Sequence, residues 1–382
     1  MCDKFKKLVS KLHKNKLEEL NNEISQKQVA GENSKQIQMG TVIFNQGISE
    51  ERVRNIFSEM IPQAISNYSQ EAYEIANKRI QEFESIIVPK ILEADEMMSA
   101  FSEPAFQMLL RKAQQTAAIT DRLNDYSLLA ELIMCHVKKG DDRKNRIGIT
   151  KAVEIVDDID NDALCALTVA FAIQKFCTTV GDICEGLQVL NRLYEKIIYM
   201  PLPQGKEWLD HLDILGAVRI NSFGHLKSFK EYYSLVLNGY VCVGISTISE
   251  EYHDAIKELA AVDIDNSILV NNELLDGYVR LNISCKSAIK NLQMNQNGIS
   301  RPINLSEVKV LEEIWDLYSK DGDLLKNVQD SFICLWDSFD ALKQLRLWWE
   351  SIPTSFDITK VGEVLAYTNA KRCDPGLPDL LL

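Results

Sequence analysis

Only nine prolines and seventeen glycines are spread over 382 residues, and the stretches between them carry apolar residues every three or four positions. A chain so poor in breakers is constrained towards long helices. Val53, Ile56, Phe57 and Met60 make one apolar face. Ile75, Ile80, Phe83, Ile87 and Ile91 make another over 71–98. Ser49 is placed to cap the first of these helices, Pro62 to end or kink it, and Pro89 to break the second. Ser102 is expected to cap a helix opening at Pro104. Residues 124–139, 143–159, 161–178 and 183–199 each keep helical spacing between short polar or glycine-containing joints. The reading is a mainly α protein, with a bundle or array of antiparallel helices over 49–200.

Met200-Pro201-Leu202-Pro203-Gln204-Gly205 is the best internal boundary, and the length suits two or three domains. Residues 201–382 read as a second, mostly helical domain with minor β structure. Val241 to Ile245 and Asp263 to Val270 are β-prone, and helices are expected at 250–261, 271–292, 306–319 and 323–349. Ile358-Thr359-Lys360-Val361-Gly362-Glu363-Val364-Leu365 loosely matches the LTxxGxxL pattern at the end of some winged helices, so a winged-helix-like unit is one expectation.

The first 48 residues differ from the rest. The first 35 hold eight lysines against five acids. Residues 1–29 read as a basic amphipathic helix, with Phe5, Val9 and Leu12 at helical spacing among the lysines. The plain expectation is a solvated or coiled-coil helix. The sharper one is that Lys4, Phe5, Lys7, Lys11 and Lys14 meet an anionic membrane surface or an acidic partner. Residues 30–48 form a strand-like linker punctuated by glycine, uncharged and without proline from Gln36 to Gly47. Thr41 to Phe44 is β-branched and aromatic. An uncharged, proline-free stretch of this kind suits pairing with another copy of itself, which makes Ile37, Gln38, Met39, Gly40, Val42 and Phe44 self-association candidates. A short hairpin or loop tethering the basic helix is the competing reading.

The net charge of −13 and the pI near 5.0 disfavour nucleic acid as a partner, because phosphate neutralisation needs a basic surface. Nine scattered cysteines, without a CxxC pair, indicate reduced thiols and a cytoplasmic location. The longest apolar run, Ala163 to Ile173, is interrupted by Thr168 and is far short of a membrane span.

Signatures of chemistry are absent or incomplete. The sequence contains no phosphate loop, GxGxxG, HExxH or GxSxG. Ser287-Ala288-Ile289-Lys290 matches SxxK alone. Asp158-x-Asp160-x-Asp162 starts like a calcium loop, but the positions that need glycine and glutamate hold Ala163 and Val169. A polar joint with acids at a helix N-terminus fits better. The five histidines, His13, His136, His211, His225 and His253, show no metal spacing. His211 reads as a satisfied structural residue, and Trp348 and Trp349 as core anchors. No catalytic residue, cofactor or metal ligand is assigned.

Several segments together resemble an uncharacterised bacterial family of helical proteins associated with phage-defence and conflict gene neighbourhoods. They run from Gln36 onward, over nearly the whole chain after the basic helix, and are the glycine-flanked, Asn- and Gln-containing opening, Gly47-Ile48-Ser49-Glu50-Glu51-Arg52-Val53-Arg54, Ala100-Phe101-Ser102-Glu103-Pro104-Ala105-Phe106-Gln107, His211-Leu212-Asp213-Ile214-Leu215-Gly216 and the run from Thr359 to Arg372. The resemblance implies no enzymatic activity. Separately, Ile37-Gln38-Met39-Gly40 looks like the core of the receptor-interacting-protein homotypic interaction motif, whose strands stack in register. The expected function is a non-enzymatic scaffold that binds itself or another protein in a defence setting. The alternatives are a defence effector acting on membrane or nucleic acid, and a winged-helix regulator.

Overall fold

A computed structural model describes residues 50–66, 68–93, 100–139, 142–221, 223–296 and 299–380. The expected N-cap Ser49, the basic helix and the strand-like linker lie outside the described residues. Within them the protein is mainly helical with three small sheets.

Seven helices open the described chain: α1 (Glu50–Ala64), α2 (Gln70–Glu93), α3 (Pro104–Ile119), α4 (Leu123–Lys139), α5 (Arg143–Glu154), α6 (Asn161–Lys175) and α7 (Ile183–Ile197). Their starts are set by local chemistry. The Asp142 and Asp182 carboxylates accept first-turn backbone N–H groups at α5 and α7. Two helix predictions shift. Pro89 does not break α2, because Ile87, Val88 and Ile91 on both sides of it are fully buried and tertiary packing outweighs the lost N–H. Glu103, not Ser102, occupies the cap of α3, and the Gln107 side chain instead donates to the Phe101 carbonyl at 2.8 Å.

Beyond Pro201 come α8 (Glu207–Ile214), β1 (Val218–Asn221) and α9 (Phe229–Val236). Near the end lie α12 (Gly322–Trp336), α13 (Asp340–Ser351), β7 (Ser355–Ile358) and α14 (Lys360–Cys373). The single helix expected over 323–349 is therefore two, split at Asp337-Ser338-Phe339, where the Asp337 carboxylate pairs with Arg346 in a fork at 2.7 and 2.5 Å. β1 and β7 pair antiparallel, Val218 opposite Ile358.

Two helices are buried all round over their central stretches. Every residue of α6 from Ala163 to Ile173 is buried, as is every residue of α14 from Val364 to Ala370. An all-round apolar stretch such as that of α6 belongs at the centre of a fold. α6 and α14 pack on each other, α14 also lies on α4 and α5, and the main core draws on residues from both sides of Pro201–Gly205. At their crossing the Asn369 amide donates to the Thr168 hydroxyl at 2.8 Å.

Residues 242–318 build a second core around β2 (Ile245–Ser246), α10 (Glu250–Ala261), β3 (Leu269–Asn271), β4 (Tyr278–Leu281), the hairpin β5 (Gln293–Gln296) and β6 (Ile299–Pro302), and α11 (Leu305–Asp316). The sheet order is β2-β4-β3, antiparallel throughout. The helix expected over 271–292 is absent. Gly277 takes φ +80°, turning the chain into β4, and only a 3₁₀ stretch at Lys286–Asn291 is helical. The buried Asn272 amide holds that turn by donating to the Cys242 and Val243 carbonyls at 2.9 and 3.0 Å. Fully buried Arg280 ties this module to α7. Its guanidinium donates to Glu273 at 2.8 Å and to the Gly181 carbonyl at 3.0 Å, and lies 5.6 Å from the Tyr240 ring centre.

Candidate functional site

The self-association candidates Ile37, Gln38, Met39, Gly40, Val42 and Phe44, and the surface candidates Lys4, Phe5, Lys7, Lys11 and Lys14, fall outside the described residues. Among the described residues no group of three metal-capable side chains occurs, and no helix is long and apolar enough to cross a membrane.

Other residues singled out by sequence are placed. Nε2 of His211 accepts the Asp160 backbone N–H at 3.1 Å, so the ring pins the joint before α6. Trp348 and Trp349 are buried, and their indoles donate to the Pro203 and Lys227 carbonyls at 3.0 and 2.9 Å. Ser287 and Lys290 are both exposed, and the Ser287 hydroxyl pairs with Cys285 Sγ. His225 and His253 are exposed. His136 is buried against Phe106, with Nε2 unpartnered among the described residues. Burial, then the charge of Arg146, lowers its pKa below 6.5. Burial raises the thiol of Cys165 to about 11 and that of Cys242 to about 12, which keeps both as inert core residues.

Two of the segments that carry the family resemblance meet in space. The end of α8 and the start of α14 form one joint. The Thr359 hydroxyl caps α14 by accepting the Gly362 N–H at 3.3 Å and donates to the Gly216 carbonyl at 2.6 Å. The Thr359 N–H donates to the Ala217 carbonyl at 3.0 Å. Gly362 permits this approach, because a Cβ there would stand 2.0 Å from the Ala217 oxygen.

A cleft of about 450 Å³ opens beside the buried pair of helices. Lys90 of α2 lines it, with Ser127, Glu131, Met134, Cys135 and Lys138 of α4. Tyr367, Thr368, Lys371 and Arg372 of α14, then Pro375 and Asp379, complete the wall. Lys90 pairs with Glu131 at 2.6 Å, and Lys371 with Asp379 at 3.0 Å. Asp379 also accepts the Tyr367 hydroxyl at 3.1 Å. The hydrogen bond from Lys371, then that from Tyr367, holds the Asp379 carboxyl below its usual range. Arg372 donates to the Asn369 amide oxygen at 2.9 Å and lies 5.5 Å from the Tyr199 ring centre. Thr368 is 2% exposed, and its hydroxyl has no partner among the described residues. A helical threonine ordinarily bonds a carbonyl in the preceding turn, and this one does not.

The sequence reading missed this cleft. A signal existed: Ser127, Glu131, Met134, Cys135 and Lys138 share one stripe of α4 at helical spacing, and so do Thr368, Lys371 and Arg372 on α14. No motif distinguishes such stripes from a solvated helix face.

Fold and cleft together define a helical body organised on two buried, crossing helices, with a small mixed α/β module set into it. The chain belongs to an uncharacterised protein family whose model matches residues 47–377. No curated protein and no solved structure matches it.

Proposed function

We propose that the protein is a non-enzymatic interaction scaffold that self-associates through its N-terminal segment and serves bacterial phage defence. One observation carries the reading. The compact unit that holds every described residue starts at Gly47, and the family match starts at the same residue. The uncharged, β-prone stretch Gln36–Gln46 therefore stands immediately before a body that has its own core. An assembly element in that position can pair with its copies without unfolding anything. Strand pairing buries Val42 and Phe44 in register and satisfies the backbone of each copy on the next. The preceding lysine-rich segment offers a surface for an acidic partner or an anionic membrane. The defence setting rests on the resemblance of the segments at 47–54, 100–107, 211–216 and 359–372 to the bacterial family.

The test is the double substitution Val42→Glu and Phe44→Glu in the full chain, followed by sedimentation velocity. The expected result is loss of assembly with unchanged thermal unfolding of the body. An unchanged sedimentation coefficient refutes the self-association reading. Phage plating efficiency on cells expressing the chain tests the setting: protection that the double substitution abolishes supports it, and equal plaque counts with and without the chain refute it.

A further inference from the structure

We infer that the cleft between α2, α4, α14 and the C-terminal tail binds a small phosphate monoester. The cleft holds four cations, Lys90, Lys138, Lys371 and Arg372, against two carboxylates, Glu131 and Asp379, in a chain whose net charge is −13. Concentrating positive charge at one concave place against that background favours an anion there. The pairing within the wall narrows the ligand further. Glu131 neutralises Lys90 and Asp379 neutralises Lys371. Neither Lys138 nor Arg372 has a carboxylate within ion-pair distance among the described residues: Lys138 acts on Asp379 and Arg372 on Asp125 only from farther away, and Arg372 hydrogen-bonds the neutral amides of Asn369 and Asn124.

The wall therefore carries two more cations than carboxylates, an excess that matches one dianionic group, and a phosphate monoester is close to dianionic at neutral pH. A single carboxylate would balance only half of that excess. Phosphate also presents three oxygens, enough for a lysine, a guanidinium and a hydroxyl together. The hydroxyl is Thr368. Thr368 lines the cleft, and its buried hydroxyl lacks a partner among the described residues, an unfavourable state that a ligand oxygen reaching it would relieve. Met134, Tyr367 and Pro375 supply apolar surface for the organic part of the ester, and about 450 Å³ accommodates a molecule of mononucleotide size. A nucleotide and a sugar phosphate share this chemistry.

Isothermal titration of the full chain with inorganic phosphate, AMP and glucose 6-phosphate, against chloride of matched ionic strength, tests the assignment. At least one ester should bind saturably and more tightly than inorganic phosphate, and which ester binds distinguishes nucleotide from sugar. Thr368→Val and Lys138→Gln should each weaken that binding roughly tenfold or more. Lys257→Gln, on α10 and remote from the cleft wall, should leave it unchanged. Thr368→Val should also raise the melting temperature of the unliganded protein, because it removes a buried unpaired hydroxyl. A purely structural threonine would lower it. Three results overturn the assignment: no saturable binding of any probe, inorganic phosphate bound as tightly as both esters, or equal affinity in wild type and both cleft variants.

Discussion

Replacing Gly362 by alanine sets two effects of opposite sign against each other. Alanine is favoured over glycine by up to about 1 kcal/mol within a helix, and by less in the first turn, where Gly362 lies. The added Cβ, however, would lie 2.0 Å from the Ala217 carbonyl oxygen and 2.9 Å from Ile358 Cγ2. Neither neighbour is a flexible side-chain end: one is backbone, and the other sits on β7 in register with Val218. Relief requires α14 to withdraw from the α8–β1 joint by about 1 Å, a typical overpacking cost of about 1–3 kcal/mol. The Ala217 carbonyl also accepts the Thr359 N–H at 3.0 Å, and weakening that bond adds about 1 kcal/mol. The clash wins, and Gly362→Ala should destabilise the body by about 1–3 kcal/mol. At about 2 °C per kcal/mol the melting temperature should fall by roughly 2–6 °C. Urea unfolding followed by far-ultraviolet circular dichroism reads the same loss as a lower midpoint. A midpoint at or above that of wild type would refute the close-approach argument, because helix propensity alone would then decide the outcome.

Arg280→Ala should cost about 3 kcal/mol, the low end for breaking a buried ion pair, because Glu273 keeps some contact with water. Amide hydrogen exchange should show the loss first at the start of α7 and in β4, whereas uniform acceleration over the whole body would contradict the linkage. Stability should also depend on pH through His136. Its folded pKa is lowered, so below about 6.5 the unfolded chain binds a proton that the folded chain refuses, and stability falls as pH drops through that value. His136→Leu should flatten the slope between pH 7 and pH 5, and an identical slope in the variant would remove His136 as its source.

Much of the helical body was legible in the sequence because periodicity there reports burial directly. Val53, Phe57 and Met60 at helical spacing are core residues of α1, and the all-apolar run Ala163–Ile173 is the central helix α6. The errors cluster where local pattern and tertiary demand diverge. Asn271 to Leu292 has helix-compatible composition, yet Gly277 at positive φ and the Asn272 amide bonds commit it to a turn and a strand. Pro89 breaks helices in isolation and is overridden by buried neighbours on both sides. The cleft was illegible for a different reason. Its residues come from α2, α4, α14 and the tail, 41 positions apart for Lys90 and Glu131, and nothing local marks which lysine keeps a carboxylate partner and which does not. That distinction exists only once α14 lies across α4.

The measurement closest to the central claim is light scattering coupled to size exclusion, comparing the full chain with one that begins at Gly47. The account predicts an oligomer for the full chain and a folded monomer for the shorter one. Identical masses for both would contradict it, and would place any self-association in the helical body instead of the N-terminal segment.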